Sequence, residues 1–346
     1  MKKSGPGNAK RGLLIALCCV LSVILAGLLV FTIVTNDLLG QIQRPSEMPT
    51  LSSSEIDEIL NGDTPTGTGD PMGEGDVDLG DGPADLIASD DLINILLIGQ
   101  DSRMQTERRN SDAMILCTIN KKTKTLTMTS FMRDIYVKIP GYGNNKLNAC
   151  YVIGGMELLD RCLEQNFGIR VDANIEVNFS GFMKLIDMVG GVRINLTQEE
   201  AVYLNRRGNW NVTGNDGWEL TEGENILTGS QALAYSRIRA LGMDVERTAR
   251  QRRVITALID KAKGMNALEL YALVKEGISL ITTDMTDGEI WSYATEMIAL
   301  LADLKLVNQR IPVDGSYDFG DVGNVGDCVL INFEKNRKFL ADTLKP

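Results

Sequence analysis

An uncharged stretch at residues 12–34, rich in Leu, Ile and Val, limits the possible structures of this chain more than any other feature. As a helix, its 23 residues can cross a hydrocarbon core of about 30 Å. Four positive charges precede it and the first charge after it is Asp37, a pattern that keeps residues 1–11 in the cytoplasm and exports the rest. A cleaved signal peptide is the alternative, but its apolar core has only about 7–15 residues. We therefore predict a single-pass anchor in the cell membrane, followed by an extracytoplasmic domain.

Most of the acidity of the chain follows the predicted anchor. The formal net charge is −11, and residues 1–91 contain five Lys and Arg against 14 Asp and Glu. Residues 92–346 are nearly neutral, with 30 basic and 32 acidic side chains. The acidic segment is rich in Gly, Pro, Asp and Thr, and it cannot bury enough apolar surface to order itself. This composition predicts a flexible stalk over residues 35–91. A calcium-binding loop is the alternative, although the terminal bidentate Glu of such loops is missing.

Residues 92–346 alternate between short apolar β-rich runs and segments with helical periodicity. The runs 113–120 and 125–131 flank the polar turn KKTK and predict a β-hairpin. Helical spacing predicts helices at 156–167, 180–189, 229–237, 246–263, about 266–282 and 287–303. The alternation predicts one α/β domain, a three-layer α/β/α sandwich with a mixed central sheet that helices cover on both faces.

The chain contains no histidine. This excludes Ser-His-Asp and Cys-His catalysis, histidine general bases and His-ligated zinc. Any chemistry must therefore use carboxylates, arginines, lysines, hydroxyls or a hard cation. Four cysteines lie in the domain, and both disulfides and buried free thiols are compatible with their spacing. These are Cys117, Cys150, Cys162 and Cys328.

The segment YSRIRALGMDVERTARQRR (235–253) is the strongest candidate for chemistry, because it contains six arginines. Arg237 and Arg239 are two residues apart, so that in extended backbone their side chains point to the same side. Arg247 and Gln251 share one face of the helix that follows. Guanidinium groups match phosphate oxygens with bidentate hydrogen bonds, so the segment is typical of an anion site. The alternative is an exposed cationic helix neutralised by the acidic residues that precede it.

Two carboxylates stand at the ends of one polar loop. GQDSR (99–103) follows an apolar run, and RRNSD (108–112) leads into the hairpin. Folding can therefore bring Asp101 and Asp112 together. Mg²⁺ is typically held by one or two carboxylates together with substrate phosphates and water, and it needs no histidine. Most Asp residues in loops form turns or caps, which is the alternative.

A further pair of charged residues, Arg133 and Asp134, directly follows the second strand of the hairpin. Such a pair is typical either of a structural ion pair at a strand end or of a catalytic site. Lys146 lies close to a predicted turn, and an exposed lysine is the alternative there.

Taken in order, these segments resemble the LytR-CpsA-Psr family of cell-wall assembly enzymes. The resemblance covers about residues 94–255, and no single segment is decisive, but seven in series are specific. The matching segments are NILLIGQDSR, NSDAMILCTIN, SFMRDIYVKIPG, KLNAC, VNFSGFMKLIDMVGGV, LTGSQALAYSRIR and ERTARQRRVI.

The resemblance implies an activity and a location. It implies a phosphotransferase that moves a glycopolymer (teichoic acid, capsule or similar) from a polyprenyl-pyrophosphate carrier to peptidoglycan, assisted by Mg²⁺ or Mn²⁺. The setting would be the membrane of a Gram-positive-type bacterium. The alternatives are a pyrophosphatase acting on the same lipid-linked pyrophosphate and a non-catalytic regulator that binds the carrier. A nucleic-acid partner is disfavoured, because the exported domain is not basic overall.

The resemblance also assigns residues by position. The metal ligands would be Asp101 and Asp112. The catalytic residues would be Arg133, Asp134, Arg237 and Arg239, with Asp134 orienting Arg133 or helping with proton transfer. The pyrophosphate-binding residues would be Arg103, Arg109, Lys146, Arg247, Arg250 and Gln251. Where the family commonly has Arg two residues before the metal-loop Asp, this chain has Asn110, which leaves the role of Arg109 open.

Overall fold

The structure is a computed structural model, and it describes residues 39–45, 51–61, 79, 82, 86–100, 111–206, 217–300 and 303–345. The chain divides into two compact units, Met1–Ile42 and Gln43–Pro346, and the domain described below lies in the second. Within the described ranges, no helix is both long and apolar enough to cross a bilayer. The anchor predicted at residues 12–34 lies outside these ranges.

Helix α1, Ser53–Asn61, lies inside the segment for which the sequence predicts a flexible stalk. The backbone N–H of Ser52 donates to the Glu55 carboxylate at 2.7 Å and caps the start of the helix. Three apolar residues of the helix pack against the main core of the domain: Ile56, Ile59 and Leu60. This stretch is therefore folded rather than flexible, because its apolar residues recur at helical spacing and have a core to pack against.

The remaining elements follow in chain order. The strands are β1 (Leu92–Gln100), β2 (Ser111–Asn120), β3 (Thr125–Phe131), β4 (Tyr136–Ile139), β5 (Gly143–Lys146), β6 (Ala173–Asn178), β7 (Val192–Leu196), β8 (Gly223–Leu227), β9 (Ile281–Thr283), β10 (Lys305–Ile311), β11 (Tyr317–Val322) and β12 (Gly326–Ile331). The helices after α1 are α2 (Leu147–Phe167), α3 (Phe179–Met188), α4 (Gln198–Leu204), α5 (Gly229–Ser236), α6 (Met243–Lys263), α7 (Ala267–Gly277), α8 (Asp287–Leu300) and α9 (Phe333–Leu344).

The central sheet is mixed, with the strand order β10-β3-β2-β1-β6-β9. Strand β1 runs parallel to β6, and β3 runs parallel to β10. Strand β2 is antiparallel to both β1 and β3. The carboxyl ends of β1, β3, β6 and β10 therefore meet at one edge of the sheet, where the segments that follow these strands can form a site.

Helices cover both faces of the sheet, which gives the three layers predicted from the sequence. On one face, Leu96 and Leu116 share an apolar core with α2 and α9. On the other face, Ile95 and Ile115 share a core with apolar residues of α6 and α8. Side chains alternate along a strand, so neighbouring positions of β1 and β2 serve opposite cores. The predicted α/β class with a mixed central sheet is confirmed.

A third apolar cluster holds a smaller layer beside the sheet. It joins α3, α4, α5 and part of α6 to the two-stranded antiparallel sheet of β7 and β8. Thr197 and Thr228 start α4 and α5 with capping boxes, in which the threonine hydroxyl and a Glu or Gln side chain satisfy the first backbone N–H groups. This layer fixes the loop between α5 and α6, which carries part of the arginine-rich segment.

Two predicted helices differ from the structure by more than three residues at one end. Helix α2 begins at Leu147 rather than at residue 156, with a kink where Gly155 takes a φ of 66°. The helix predicted at about 266–282 ends at Gly277, and Ile281–Thr283 instead pairs with β6 as the edge strand β9. In this second case tertiary pairing overrides the local periodicity, because β6 offers free backbone groups at the sheet edge.

The four cysteines of the domain are buried and free. The Sγ atoms of Cys150 and Cys162 are 2.7 Å apart inside α2. Burial raises the pKa of the Cys117 thiol to about 12, so this thiol stays protonated and unreactive at neutral pH. None of the four is a candidate nucleophile.

Candidate active site

Asp112 is the centre of a cluster of arginines at the carboxyl edge of the sheet. Its carboxylate Oδ1 lies 2.5 Å from Arg133 Nη1, 3.8 Å from Arg239 Nη2 and 3.9 Å from Arg247 Nη1. Arg247 Nη1 also donates to the backbone carbonyl of Asp112 at 2.9 Å. The three arginines come from the end of β3, the loop before α6 and the first turns of α6. The structure therefore brings together guanidinium groups from separate stretches of chain around one carboxylate.

Two further carboxylates, Asp134 and Asp244, form ion pairs with Arg133 and Arg247 of the cluster. Asp134 Oδ2 lies 3.3 Å from Arg133 Nε. Asp244 Oδ1 lies 2.6 Å from both Nε and Nη2 of Arg247. Asp244 is the acidic residue that the alternative interpretation of the sequence uses to neutralise an exposed helix. Here it fixes a nearly buried arginine, with 3% of the side chain exposed, and aims it at the site.

The electrostatics of the cluster differ from one arginine to the next. Burial and the positive charges of Arg133 and Arg247 lower the pKa of Arg239. Burial also opposes the charge of Arg133, but Asp134 and Asp112 outweigh it and raise the pKa of that arginine. Arg239 is therefore the member with the least compensation by acidic groups, and half of its side chain is exposed.

The backbone at Arg237 is not extended, so the condition under which Arg237 and Arg239 would point to the same side is not met. Arg237 ends helix α5 with a nearly helical backbone (φ −103°, ψ −2°). Its guanidinium carbon stands 4.6 Å from the centroid of the Phe179 ring, a cation–π contact. Arg237 thus lines an adjacent cavity with Arg247, rather than joining the ion pairs of Asp112.

This cavity has a volume of about 300 Å³ and runs between the sheet and helices α3 and α6. At one end it is bounded by Asp112, Arg237, Arg247 and Gln251. Away from that end its walls are apolar, with contributions from β1, β2, β6 and α3: Leu97, Ile115, Ile175, Val177, Phe179, Phe182, Leu185 and Ile186. The sequence gives no direct signal for this cavity, because its lining residues have the same periodicity as core residues.

Gln251 follows Arg247 by one helical turn and faces the same cavity, as its spacing predicts. Its Oε1 atom is buried and has no hydrogen-bond partner among the described residues. A buried amide oxygen without a partner costs free energy, so a donor from a ligand or ion is favoured there.

Arg250 does not join the site. Its Nε donates to Glu200 Oε1 at 2.8 Å, and its Nη1 and Nη2 donate to the carbonyls of Ile238 and Leu241. Both Arg250 and Glu200 are almost fully buried, with 4% of each side chain exposed. The prediction that Arg250 binds pyrophosphate is therefore contradicted, because the protein itself occupies all three nitrogens.

Lys146 lies next to the cluster rather than in it. It is the last residue of β5. Burial raises the pKa of the nearby Cys328 thiol, the positive charge of Lys146 opposes this, and the negative charge of Asp134 adds to it. The adjoining start of α2 binds the strand-end segment, since Asn148 N–H donates to the Arg133 carbonyl at 3.1 Å. Lys146 and Asp134 are thus both close to Cys328.

Three predicted site residues, Asp101, Arg103 and Arg109, lie outside the described residues. Across the described part of the chain, no group of three or more His, Cys, Asp or Glu side chains is arranged to hold a metal ion. The Asp112 carboxylate is of the hard oxygen type that Mg²⁺ prefers, and Gln100, the residue before Asp101, pairs in register with Ser111, the residue before Asp112. A single carboxylate together with substrate phosphates fits Mg²⁺, which commonly takes one or two protein carboxylates.

Fold and site together define the class of this molecule: an α/β protein in which an apolar cavity ends at a cluster of arginines. The profile of the LytR_cpsA_psr family matches residues 58–325. The chain belongs to this family, which confirms the resemblance seen in the sequence.

Two relatives show the range of names within the family. A Bacillus subtilis (strain 168) protein, the polyisoprenyl-teichoic acid–peptidoglycan teichoic acid transferase TagT, is 32% identical over 185 residues. The match spans 52% of this chain and 56% of TagT, little more than half the length of that relative. The regulatory protein MsrR of Staphylococcus aureus (strain COL) is 31% identical over 266 residues, 75% of this chain and 76% of MsrR.

Solved structures agree with the fold. TagT bound to LIIa-WTA superposes with a TM-score of 0.59 and 26% identity, covering 74% of this chain and 91% of that chain. The LytR-CPS2A-psr family protein YwtF (TagT) with bound octaprenyl pyrophosphate lipid gives a TM-score of 0.56 at 26% identity. The match covers 78% of this chain and 98% of that chain.

Proposed function

We propose that this protein is a phosphotransferase that moves a glycopolymer, such as teichoic acid, from a polyprenyl-pyrophosphate carrier to peptidoglycan. The observation that carries the proposal is the apolar cavity that ends at Asp112, Arg237 and Arg247. A polyprenyl pyrophosphate joins an apolar chain to an anionic head. The apolar cavity suits the chain, and the arginines suit the pyrophosphate. Names of relatives support the same ligand class, since one family structure holds octaprenyl pyrophosphate and TagT is a teichoic acid transferase.

The reaction is a displacement at the phosphorus that carries the glycan. The oxygen of an acceptor hydroxyl on peptidoglycan attacks this phosphorus, and the bond from phosphorus to the bridging oxygen breaks. The bridging oxygen keeps the electron pair and leaves as polyprenyl phosphate. Transfer of this kind depends mainly on positioning and on neutralising the phosphate oxygens. Arg133, Arg239 and Arg247 supply that neutralisation.

Asp112 and Asp134 have different roles in this proposal. Asp112 holds the arginines in one place before substrate arrives, which avoids reorganisation when the pyrophosphate enters. Asp134 bonds Arg133 through Nε, is partly exposed, with 26% of the side chain accessible, and is placed to accept the proton of the attacking hydroxyl. Arg237 and Gln251 stand at the border of cavity and cluster, where they bind the phosphate next to the lipid.

Mg²⁺, or Mn²⁺ in its place, is the proposed cofactor. Asp112 and Asp101 would hold it together with the pyrophosphate oxygens, and its charge would stabilise the leaving phosphate. Arg103 and Arg109 remain proposed phosphate ligands on the same loop, and Lys146 a proposed ligand beside Asp134.

We also propose that the domain works outside the cytoplasm, anchored by a single helix at residues 12–34. The partners would be the lipid-linked glycan in the membrane and the peptidoglycan acceptor. The charge distribution around the apolar stretch supports this orientation.

The test is an assay of the full-length protein in detergent with a polyprenyl-pyrophosphate glycan, Mg²⁺ and peptidoglycan. A transferase forms a glycan–phosphate–peptidoglycan product together with polyprenyl phosphate. A pyrophosphatase releases polyprenyl phosphate and free glycan phosphate whether or not peptidoglycan is present. A regulator that only binds the carrier forms neither product, and that result would exclude an enzyme.

A further inference from the structure

A second set of basic residues lies on the same sheet face as the apolar cavity, but on the other side of Asp112. Helix α6 packs across β3 and β10. Met128 and Leu306 belong to the core beneath this helix. Because side chains two or four residues apart on a strand share a face, Ser130 and Arg310 also face α6, and the two pair in register across β3 and β10.

Arg252 of α6 is buried above this part of the sheet, and two of its guanidinium nitrogens lack a hydrogen-bond partner among the described residues. Only 9% of the residue is exposed. Its Nε and Nη1 atoms are buried and make no hydrogen bond in the described part of the chain. The hydroxyl of Ser130 is in the same condition. A buried guanidinium normally has a carboxylate or carbonyl partner, as Arg250 has two residues earlier on the same helix.

The charges around Arg252 increase its need for an anion. Burial, followed by the positive charges of Arg310 and Arg253, lowers the pKa of Arg252 to about 10, and among the described residues Glu246 opposes this shift. Glu246 is itself shared with Arg253 at 3.7 Å. Arg252 stays charged at neutral pH, so the protein keeps an under-compensated cation in its interior.

Arg310 forms an ion pair with an acidic residue that is largely in solvent. Its Nη2 bonds Asp314, whose side chain is 91% exposed. Its guanidinium carbon stands 5.5 Å from the centroid of the Tyr317 ring. The aromatic ring and Asp314 fix the position of Arg310, and neither of them pairs with the neighbouring guanidinium of Arg252.

We propose that Arg252, Arg310 and Ser130 form a second oxyanion site, which binds an anionic group on the glycan part of the substrate. The inference rests on the proposed function for the identity of the substrate, and on the geometry for the site itself. In the strand order, the lipid cavity uses β2, β1 and β6, whereas this site uses β3 and β10. A substrate with its pyrophosphate at Asp112 and its lipid in the cavity therefore extends its glycan toward Arg252. The ligand chemistry is an oxyanion, carried either by a phosphodiester or by a carboxylate of an acidic sugar.

The first test compares substrates that differ only in the glycan. The full-length protein in detergent is given three polyprenyl-pyrophosphate substrates, with an uncharged glycan, a glycerol-phosphate glycan or a glycan containing a uronic acid. For wild type, kcat/KM for at least one charged glycan exceeds that for the uncharged one. In Arg252→Met the ratio of kcat/KM for that charged glycan to kcat/KM for the uncharged glycan falls about tenfold, the loss typical of a charge-assisted hydrogen bond. Arg193→Met, which removes an exposed arginine paired with Glu224, is the matched control and keeps the wild-type ratio.

The charged substrate whose kcat/KM ratio falls in Arg252→Met identifies the ligand as a phosphodiester or a carboxylate. Equal ratios in Arg252→Met and Arg193→Met would overturn the proposal. Ser130→Ala provides a second variant in case Arg252→Met does not fold, since it removes only one hydroxyl. It lowers the same ratio about threefold if the site exists and leaves it at the wild-type value if it does not.

Thermal unfolding gives a readout that a purely structural role of Arg252 would not produce. Arg252→Met raises Tm by about 2 °C or more, because it removes an unpaired buried cation and keeps most of the side-chain volume. If Arg252 had a purely structural role, its replacement would lower Tm, and that result would count against the site. Soluble glycerol-phosphate and galacturonate oligomers separate this proposal from the proposed function. If the wild type binds such an oligomer through Arg252 but turns over no lipid-linked substrate, the function fails and the oxyanion site stands.

Discussion

Arg133 Nη1 and Asp112 Oδ1 lie 2.5 Å apart, and this ion pair joins the end of β3 to the start of β2 at the carboxyl edge of the sheet. Both side chains are largely buried. Arg239 and Arg247 converge on the same carboxylate oxygen within 4 Å. The Asp112 carboxylate therefore holds together three guanidinium groups that would otherwise repel one another. The first prediction concerns the removal of this carboxylate.

Asp112→Asn is expected to lower kcat at least a hundredfold, because the arginines lose the anion that holds them before substrate binds. Binding of inorganic pyrophosphate, measured by calorimetry without metal, stays equal or becomes tighter, because a competing carboxylate is gone. Asp303→Asn, which removes an exposed carboxylate bonded to Lys124, is the control and keeps wild-type turnover. Wild-type turnover in Asp112→Asn would remove Asp112 from the mechanism.

Arg239→Ala is expected to abolish turnover and to change the free energy of unfolding by less than about 0.5 kcal/mol, since half of this side chain is exposed. Arg237→Ala is also expected to abolish turnover, with the additional loss of its contact with the Phe179 ring. Release of polyprenyl phosphate and urea denaturation measure the two effects. Normal rates in either folded variant would contradict the proposed site.

Val177→Phe is expected to fill part of the apolar cavity that Val177 lines. The added volume competes with the lipid chain, so KM for a long polyprenyl substrate rises about tenfold or more, and KM for a substrate with a short chain rises less. Val202→Phe, on the exposed side of α4, controls for added apolar surface. Equal changes in KM for both chain lengths would mean that the cavity does not hold the lipid.

Arg250→Met is expected to lower the free energy of unfolding by about 3–5 kcal/mol, because it leaves the buried Glu200 carboxylate without its partner. The double variant with Glu200→Gln recovers part of this loss. Arg193→Met breaks the exposed pair with Glu224 and costs less than about 1 kcal/mol. Urea denaturation of the three variants measures these differences. A phosphate-binding role for Arg250 would instead predict lost activity with little loss of stability.

Asp160 makes the stability of the domain depend on pH. The side-chain amide nitrogen of Asn174 donates to Asp160 at 2.8 Å and to Asp284 at 2.7 Å, so that it bridges two carboxylates. Burial raises the pKa of Asp160 to about 7, the Asn174 hydrogen bond opposes this, and Asp284 and Glu157 add to it. In the unfolded chain the carboxyl titrates near pH 4.

The folded protein therefore retains a proton on Asp160 that the unfolded chain has lost between about pH 4 and pH 7. Across this window the free energy of unfolding falls as the pH rises, by at most about 4 kcal/mol, and it levels off above pH 7. Asp160→Asn is expected to flatten this part of the profile, and Asp303→Asn is not. Urea denaturation at pH 5 and pH 8 compares the variants, and an unchanged slope in Asp160→Asn would show that another group is responsible.

The sequence made the family recognisable and placed the main parts of the fold, because these depend on local order along the chain. The hairpin around KKTK was predicted from a short pattern, and it is present. The absence of histidine restricted the chemistry to arginines, carboxylates and a hard cation. The strand-end pair of Arg133 and Asp134 was also visible in the sequence, although a structural and a catalytic pair look the same there.

Tertiary structure alone decided which arginines share a site. Arg247, Arg250 and Arg252 belong to one helix and look alike in the sequence, yet the first meets Asp112, the second bonds Glu200, and the third lies buried over β3 and β10. The partner of each depends on the elements packed around α6, which are distant in the chain. The apolar cavity was hidden for the same reason, since residues that line a cavity and residues that fill a core follow the same periodicity. Only the packing of α3 and α6 against the sheet determines where space remains.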